Sequence, residues 1–293
     1  MTLLWQRLDL PGVFDVHTHF LPPRVMAKVR AQFDSAGPLI GRPWPIHYRA
    51  DDEALVGTLR ELGVRRFTAL PYAHRAGMAE WLNDWAAGFA DRVPEALVSA
   101  TLYPEPGVGD YVAARVAGGL DVVKVHVQVG GFDVREPVLD DAWGVLAEAG
   151  TPVVVHAGSG PVATAHTGPA PVAELLDRHP RLRLVVAHAG APEYADFLAL
   201  AERHERVCLD TTMAFTDFFE RIGSAYPAAL LPRLHDLGLA GKVLLGSDFP
   251  NIPYPYEHQL EALERLGLGD DWLRAVLWRN AVAIWGEPPA ASE

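Results

Sequence analysis

Cysteine is almost missing from this chain of 293 residues. The single thiol, Cys208, excludes an internal disulfide and a cysteine-rich structural metal knot. It fits a reducing compartment, so a cytoplasmic setting is expected. Basic charge is also in deficit, with 25 Lys and Arg against 37 Asp and Glu and a formal net charge of -12. A phosphate backbone would be repelled, which argues against nucleic acid as a partner. No apolar run approaches the roughly 18 residues of a membrane helix, and the opening MTLLWQRLDLPG has neither the basic start nor the apolar core of a secretory leader. No membrane association is expected, and a small-molecule substrate is the remaining class of partner, with a homo-oligomer left open. Low-complexity tracts are missing too. What is present is 49% hydrophobic and only 21% charged, enough for a sizeable buried core.

Eight short runs rich in Val, Ile, Leu and Phe punctuate the chain. They are VFDVH (13–17), RRFTAL (65–70), LVSATL (97–102), DVVKVHV (121–127), PVVVHA (152–157), RLVVAHA (183–189), RVCLDTT (206–212) and KVLLGSD (242–248). Helix-like segments alternate with them, at 51–62, 78–90, 139–149, 171–178, 193–204 and 256–266. Strands without polar alternation need cover on both faces, and eight of them predict an α/β fold of the (β/α)8 TIM-barrel type, with a doubly wound sheet as runner-up. One domain over 1–293 is expected. The connection after the first strand, 20–64, is unusually long and carries GPLIGRPWPIHY, which reads as a lid or specificity insertion. The terminal DDWLRAVLWRNAVAIWG is expected to be a helix with Trp272, Val276, Leu277 and Ile284 on its apolar face, and Trp81 and Trp85 are expected to share a buried helical face.

In such a barrel the active site forms at the carboxyl ends of the strands, so the polar residues there carry the chemistry. His17 and His19 are two apart and point the same way from an extended backbone, the geometry of a metal-ligand pair. Lys124, His126 and Gln128 share a face of strand four; His156 ends strand five, His188 strand six, Asp210 strand seven and Asp248 strand eight. A lone histidine in such a place is more often a packing residue than a ligand. Imidazoles and a carboxylate gathered from several strands suit zinc, manganese or iron.

With those residues in view, the chain resembles the amidohydrolase superfamily, in the branch that includes aminocarboxymuconate semialdehyde decarboxylase. FDVHTH, VVKVHVQ, VVVHAG, VVAHAG and LLGSDFPN carry the likeness, which covers nearly the whole barrel. The resemblance implies that His17, His19, His156 and Asp248 hold a divalent metal, most simply zinc, with His188 beside the activated water. Asp248 would accept the water proton and pass it to the leaving group, and His188 is preferred as acid or base over a ligand of a second ion. Lys124 stays open between a carbamate bridging two ions, as in related enzymes with two metals, and an unmodified ammonium paired with Asp248, Asp210 or substrate; the latter is preferred. Substrate contacts are expected from Tyr72, His126, His166 and Asn251, more weakly from Gln128 and His74, while Asp210, Thr211 and Thr212 either line the mouth or make a turn.

The leading function is a hydrolase in which metal-activated water attacks a small amide, lactone or ester. A nonoxidative decarboxylase of an aromatic or unsaturated acid is the alternative, and a non-catalytic binding protein the third reading. Only Arg24, Arg42 and Arg49, all in the first connection, offer a guanidinium for a substrate carboxylate, which tilts the choice to hydrolysis.

Overall fold

Runs of Val and Leu bounded by turn residues build parallel strands, because β-branched side chains fit a pleated surface that is covered on both faces. The computed structural model describes residues 3–288, and the two residues before and five after lie outside it. The strands are β1 Val13–Asp15, β2 Val64–Thr68, β3 in two pieces (Ala96–Leu97 and Ser99–Thr101), β4 Val122–His126, β5 Val153–His156, β6 Leu184–Val186, β7 Val207–Asp210 and β8 Val243–Leu244. Every neighbouring pair is parallel and follows chain order. The architecture is the expected (β/α)8 barrel. β3 is interrupted at Val98, whose N–H donates to Asp121 Oδ2 at 2.8 Å instead of joining the ladder. Ser99 spans the break, its Oγ accepting from Ala69 N at 3.0 Å.

Closure between β8 and β1 happens just past the regular strand ends. Val16 N donates to Leu245 O at 2.8 Å, Asp248 N to His17 O at 2.8 Å, and His19 N to Phe249 O at 2.7 Å. The chain segments that shut the barrel are therefore those that carry His17, His19 and Asp248.

Core residues form two layers. The larger lies between strands and helices; the smaller fills the bottom of the barrel with Phe14, Leu97, Val122, Val154, Val185, Cys208 and Leu244, and Trp278 closes it from below. Trp272, Val276 and Leu277 are fully buried, as the apolar face of the terminal segment requires, whereas Ile284 is half-buried. Trp81 departs from expectation and is 50% exposed. Its helix, Ala79–Arg92, buries Leu82, Ala86 and Phe89, and that choice of face turns Trp81 outward.

The connection from β1 to β2 contains helices Pro23–Ser35 and Gly37–Ile40 and ends in the ordinary crossover helix Asp52–Glu61, capped by Asp51 through Ala54 N. Its middle is tied across the loops that follow β7 and β8. Trp44 Nε1 donates to Asn251 O at 2.7 Å, His47 N to Ile252 O at 2.8 Å, and the Trp44 ring meets Phe218 edge-on at 4.8 Å.

Gly246 lies between the closing strand and the polar residues above it. A Cβ there would strike Thr212 Oγ1 and come within 2.9 Å of His17 Cβ and 3.1 Å of Asp210 Cγ. Gly246→Ala is expected to destabilise the protein by about 1–3 kcal/mol through this overpacking. Urea unfolding checks it, and a midpoint equal to wild type would show that the seam relaxes freely.

Candidate metal centre

β1 and the turn after β8 deliver the centre of the site. His17 and His19 are 1% and 5% exposed, so neither ring is free to reorient. The Nδ1 of His17 donates to Asp210 Oδ2 at 2.8 Å, and the Nδ1 of His19 donates to Leu70 O at 2.8 Å. Both acceptors lack a proton to give, so each ring turns its Nε2 inward. The Nε2 of His19 faces Asp248 Oδ1 at 2.9 Å, and that of His17 lies 3.6 Å from the same oxygen. One ligand atom from each of the three residues lies within 4.8 Å of the others. A ring nitrogen and a carboxylate oxygen this close need a cation between them, either a proton or a metal ion. Two imidazoles and one carboxylate oxygen are donors that suit zinc, manganese or iron, so the residues fit a divalent ion.

Six rings, those of His17 and His19 among them, form a closed circle of contacts. His17 meets His19 at 5.1 Å between centroids, His19 meets Tyr72 at 5.3 Å, and Tyr72 meets His126 at 5.5 Å. His126 stacks on His156 at 4.0 Å, His156 abuts His188 at 4.8 Å, and His188 returns to His17 at 5.4 Å. His156 thus stands in the circle but outside the ligand trio, its Nε2 donating to Gly160 O at 3.1 Å. His188 donates from Nδ1 to Thr212 O at 3.1 Å, and its Nε2 has no hydrogen-bond partner among the described residues. Phe219 stacks on its ring at 5.9 Å. Both His188 and Asp248 have left-handed backbones, with φ of 56° and 71°. Such strain is tolerated where surrounding bonds fix the chain, and it aims both side chains at the centre.

Burial leads the electrostatics. It pushes His17 down to about 4, with Lys124 adding to the effect; it takes His156 to about 3, helped by His188, and His188 to about 4. All three imidazoles are neutral at pH 7 and carry a lone pair. Burial tends to raise the Asp248 carboxyl, but the His19 contact and the neighbouring histidines outweigh it and hold the group well below its ordinary value. Lys124 is fully buried, brought down to about 8 by burial against the pull of Asp210 and Asp248. Its Nζ lies 2.9 Å from His17 Nε2 rather than on a carboxylate.

Of the weaker candidates, Tyr72 and His126 stand in the circle. Asn251 is 1% exposed, and its buried Oδ1 has no hydrogen-bond partner among the described residues. His166 is elsewhere: its Nδ1 lies 3.6 Å from Asp133 Oδ2, beside the Arg135 pair that ties down the neighbouring loop. The side chain of Gln128 donates to Val162 O, and His74 is exposed. Arg49 pairs with Asp34, and Arg24 is exposed, while Arg42 lies 4.5 Å over the Phe218 ring. Asp210 proves to be a positioning residue. Fully buried, it accepts from His17 Nδ1 and also from His188 N at 2.9 Å and Thr212 N at 3.0 Å. An aspartate at the carboxyl end of a barrel strand is the signal for such a role, but DTT reads equally well as a turn.

A barrel whose closing seam gathers an HxH pair and an aspartate defines the TIM-barrel amidohydrolase class of enzymes. The chain belongs to that family, whose model, described as Amidohydrolase, matches residues 14–286. No curated protein matches the sequence. Among solved structures it is similar to an uncharacterised TIM-barrel protein, Bb4693, from Bordetella bronchiseptica (17% identity, TM-score 0.71, covering 93% of this chain and 98% of that one). It is also similar to a probable 2-pyrone-4,6-dicarboxylic acid hydrolase from Acinetobacter baumannii with citric acid bound (15%, 0.60, 94% and 100%). A third is 5-carboxyvanillate decarboxylase from Novosphingobium aromaticivorans, complexed with manganese and 4-hydroxy-3-methoxy-5-nitrobenzoic acid (13%, 0.62, 94% and 95%). At these identities the likeness is one of fold.

Asp210→Asn tests how the ligands are oriented. An amide still accepts from His188 N and Thr212 N, but it offers His17 Nδ1 a donor and so moves the ring proton to Nε2. Metal affinity is expected to fall about 10–100-fold, measured by isothermal titration, with little change in thermal midpoint. Affinity within twofold of wild type would show that Asp210 does not set the tautomer.

Proposed function

We propose that the protein is a metal-dependent hydrolase of a small amide, lactone or ester. The observation that carries this reading is the opposition of His19 Nε2 and Asp248 Oδ1 at 2.9 Å, each ring held by an acceptor on its far nitrogen. His17, His19 and Asp248 would hold the ion, and His156 would complete the set once its ring turns from the Gly160 carbonyl. Zinc is the ion proposed, with manganese or iron served by the same donors. Bound there, the ion lowers the pKa of water to roughly 7 and polarises a carbonyl oxygen.

The chain's own groups handle the protons. Asp248 takes the proton of the attacking water and carries it to the leaving group. His188, neutral, held at Nδ1 by Thr212 O and 5.4 Å from the His17 ring, serves as the second acid or base. Tyr72, His126 and Asn251 are proposed to orient the substrate, whereas His166, drawn toward Asp133, is not. The segment 20–64 is proposed to cover the mouth as part of a single domain, since Trp44 and His47 already tie it to the loop after Asp248. The single buried thiol of Cys208 suits a cytoplasmic setting.

A second reading has one specific support. Phe219, stacked at 17° to the His188 plane, and Tyr72 across the circle make two ring walls suited to a flat unsaturated acid. That arrangement favours nonoxidative decarboxylation as the alternative. Screening lactones, amides and aromatic carboxylates separates the two. Acid release without carbon dioxide is expected; carbon dioxide from an aromatic acid alone would transfer the assignment to the decarboxylase.

Asp248→Asn is expected to lower kcat by about 100-fold or more while the protein keeps much of its metal on the histidines. Steady-state kinetics with elemental analysis check this. Near wild-type turnover across pH would remove Asp248 from proton transfer.

A further inference from the structure

Lys124 is the one fully buried lysine of the barrel, and its ammonium is aimed at a ring nitrogen. Because His17 Nδ1 is engaged with Asp210 Oδ2 at 2.8 Å, the nitrogen that accepts from Lys124 Nζ at 2.9 Å is Nε2. An imidazole nitrogen has one lone pair in the ring plane, and a metal ligand uses that same pair. A hydrogen bond from Lys124 and a bond to a metal ion at His17 Nε2 therefore exclude each other. The two cations also repel at this distance, where both Lys124 and His17 are buried.

We propose that Lys124 is an internal competitor of the metal: its ammonium holds His17 Nε2 in the metal-free protein and must leave that nitrogen before the ion can bind. The inference rests on the metal-dependent reading above. It adds an assignment for Lys124 that neither a bridging carbamate nor a carboxylate salt bridge supplies. Asp210 and Asp248 lie within electrostatic reach of the ammonium, so the charge keeps counter-ions after it leaves His17. The site is then held in shape without metal, and its affinity for metal is set below what its ligands alone would give.

Lys124→Met keeps an unbranched side chain of similar length and removes both charge and donor. Isothermal titration of zinc and of manganese into chelator-stripped proteins is expected to show about tenfold or greater tightening in the variant, the size of one charged hydrogen bond at about 1.4 kcal/mol per decade. Equal affinity overturns the proposal, and weaker affinity overturns it in favour of Lys124 as a ligand, directly or as a carbamate. If neither protein binds metal, the metal-dependent reading fails and the proposal falls with it; binding by the variant alone supports the competition. Crystal structures of wild type with and without zinc give a test that does not depend on the variant folding. Nζ is expected within 3.2 Å of His17 Nε2 only in the stripped protein, and an unmoved Nζ in the loaded one overturns the proposal.

Discussion

The backbone bond from Asp248 N to His17 O, 2.8 Å long, does two jobs in one place. It belongs to the seam that closes eight strands into a barrel, and it sets the β8 aspartate beside the β1 histidines. Strand β8 is regular for only Val243–Leu244, and beyond it the chain departs from ladder geometry, turning left-handed at Asp248 with φ 71°. A residue other than glycine pays for that conformation with roughly 1–3 kcal/mol of strain. The seam bonds on either side hold it there. Stability and site geometry are thus coupled at Gly246, where no side chain fits between His17, Asp210 and Thr212.

Around this seam the barrel holds ionisable groups of a kind that rarely serve packing alone. Asp15, Asp210 and Lys124 are fully buried and Asp248 largely so, with burial raising the Asp15 carboxyl to about 7. Asp15 accepts from Tyr256 Oη at 2.9 Å and from Ser247 Oγ at 2.5 Å, and Asp210 from His17. Buried polar groups are kept where they are satisfied or where they act. Asp15 and Asp210 belong to the first kind, because their bonds fix the loops and rings that flank the centre. Asp248 and Lys124 would belong to the second under the proposed reading. A divalent ion would give the 2.9 Å approach of Asp248 Oδ1 to His19 Nε2 a physical reason, whereas the Lys124 ammonium rests on His17 Nε2 as the ion's rival for that nitrogen.

Much of this was legible from residue order. Strands of Val and Leu recurring between helical segments fixed the number of barrel units, and His17, His19 and Asp248 fell at strand ends where side chains two apart share a face. Less visible features depended on hydrogen bonds between distant segments. The break in β3 follows from Asp121 capturing the Val98 amide, a contact that no periodicity encodes. Trp81 shares a helical face with Trp85, but which face is buried is decided by the neighbours of Leu82 and Phe89. His156 ends β5 and His166 lies in the loop after it, both at plausible spacing; only the fold shows one stacked on His126 and the other beside Asp133. The role of Asp210 was hidden because an aspartate before two threonines is also a common turn.

Anomalous diffraction from crystals of the metal-loaded protein, collected on both sides of the zinc edge, tests the central claim most directly. One strong peak bonded to His17 Nε2, His19 Nε2 and an Asp248 oxygen is expected. The absence of a peak among these three residues, in crystals grown with zinc in excess, would contradict it.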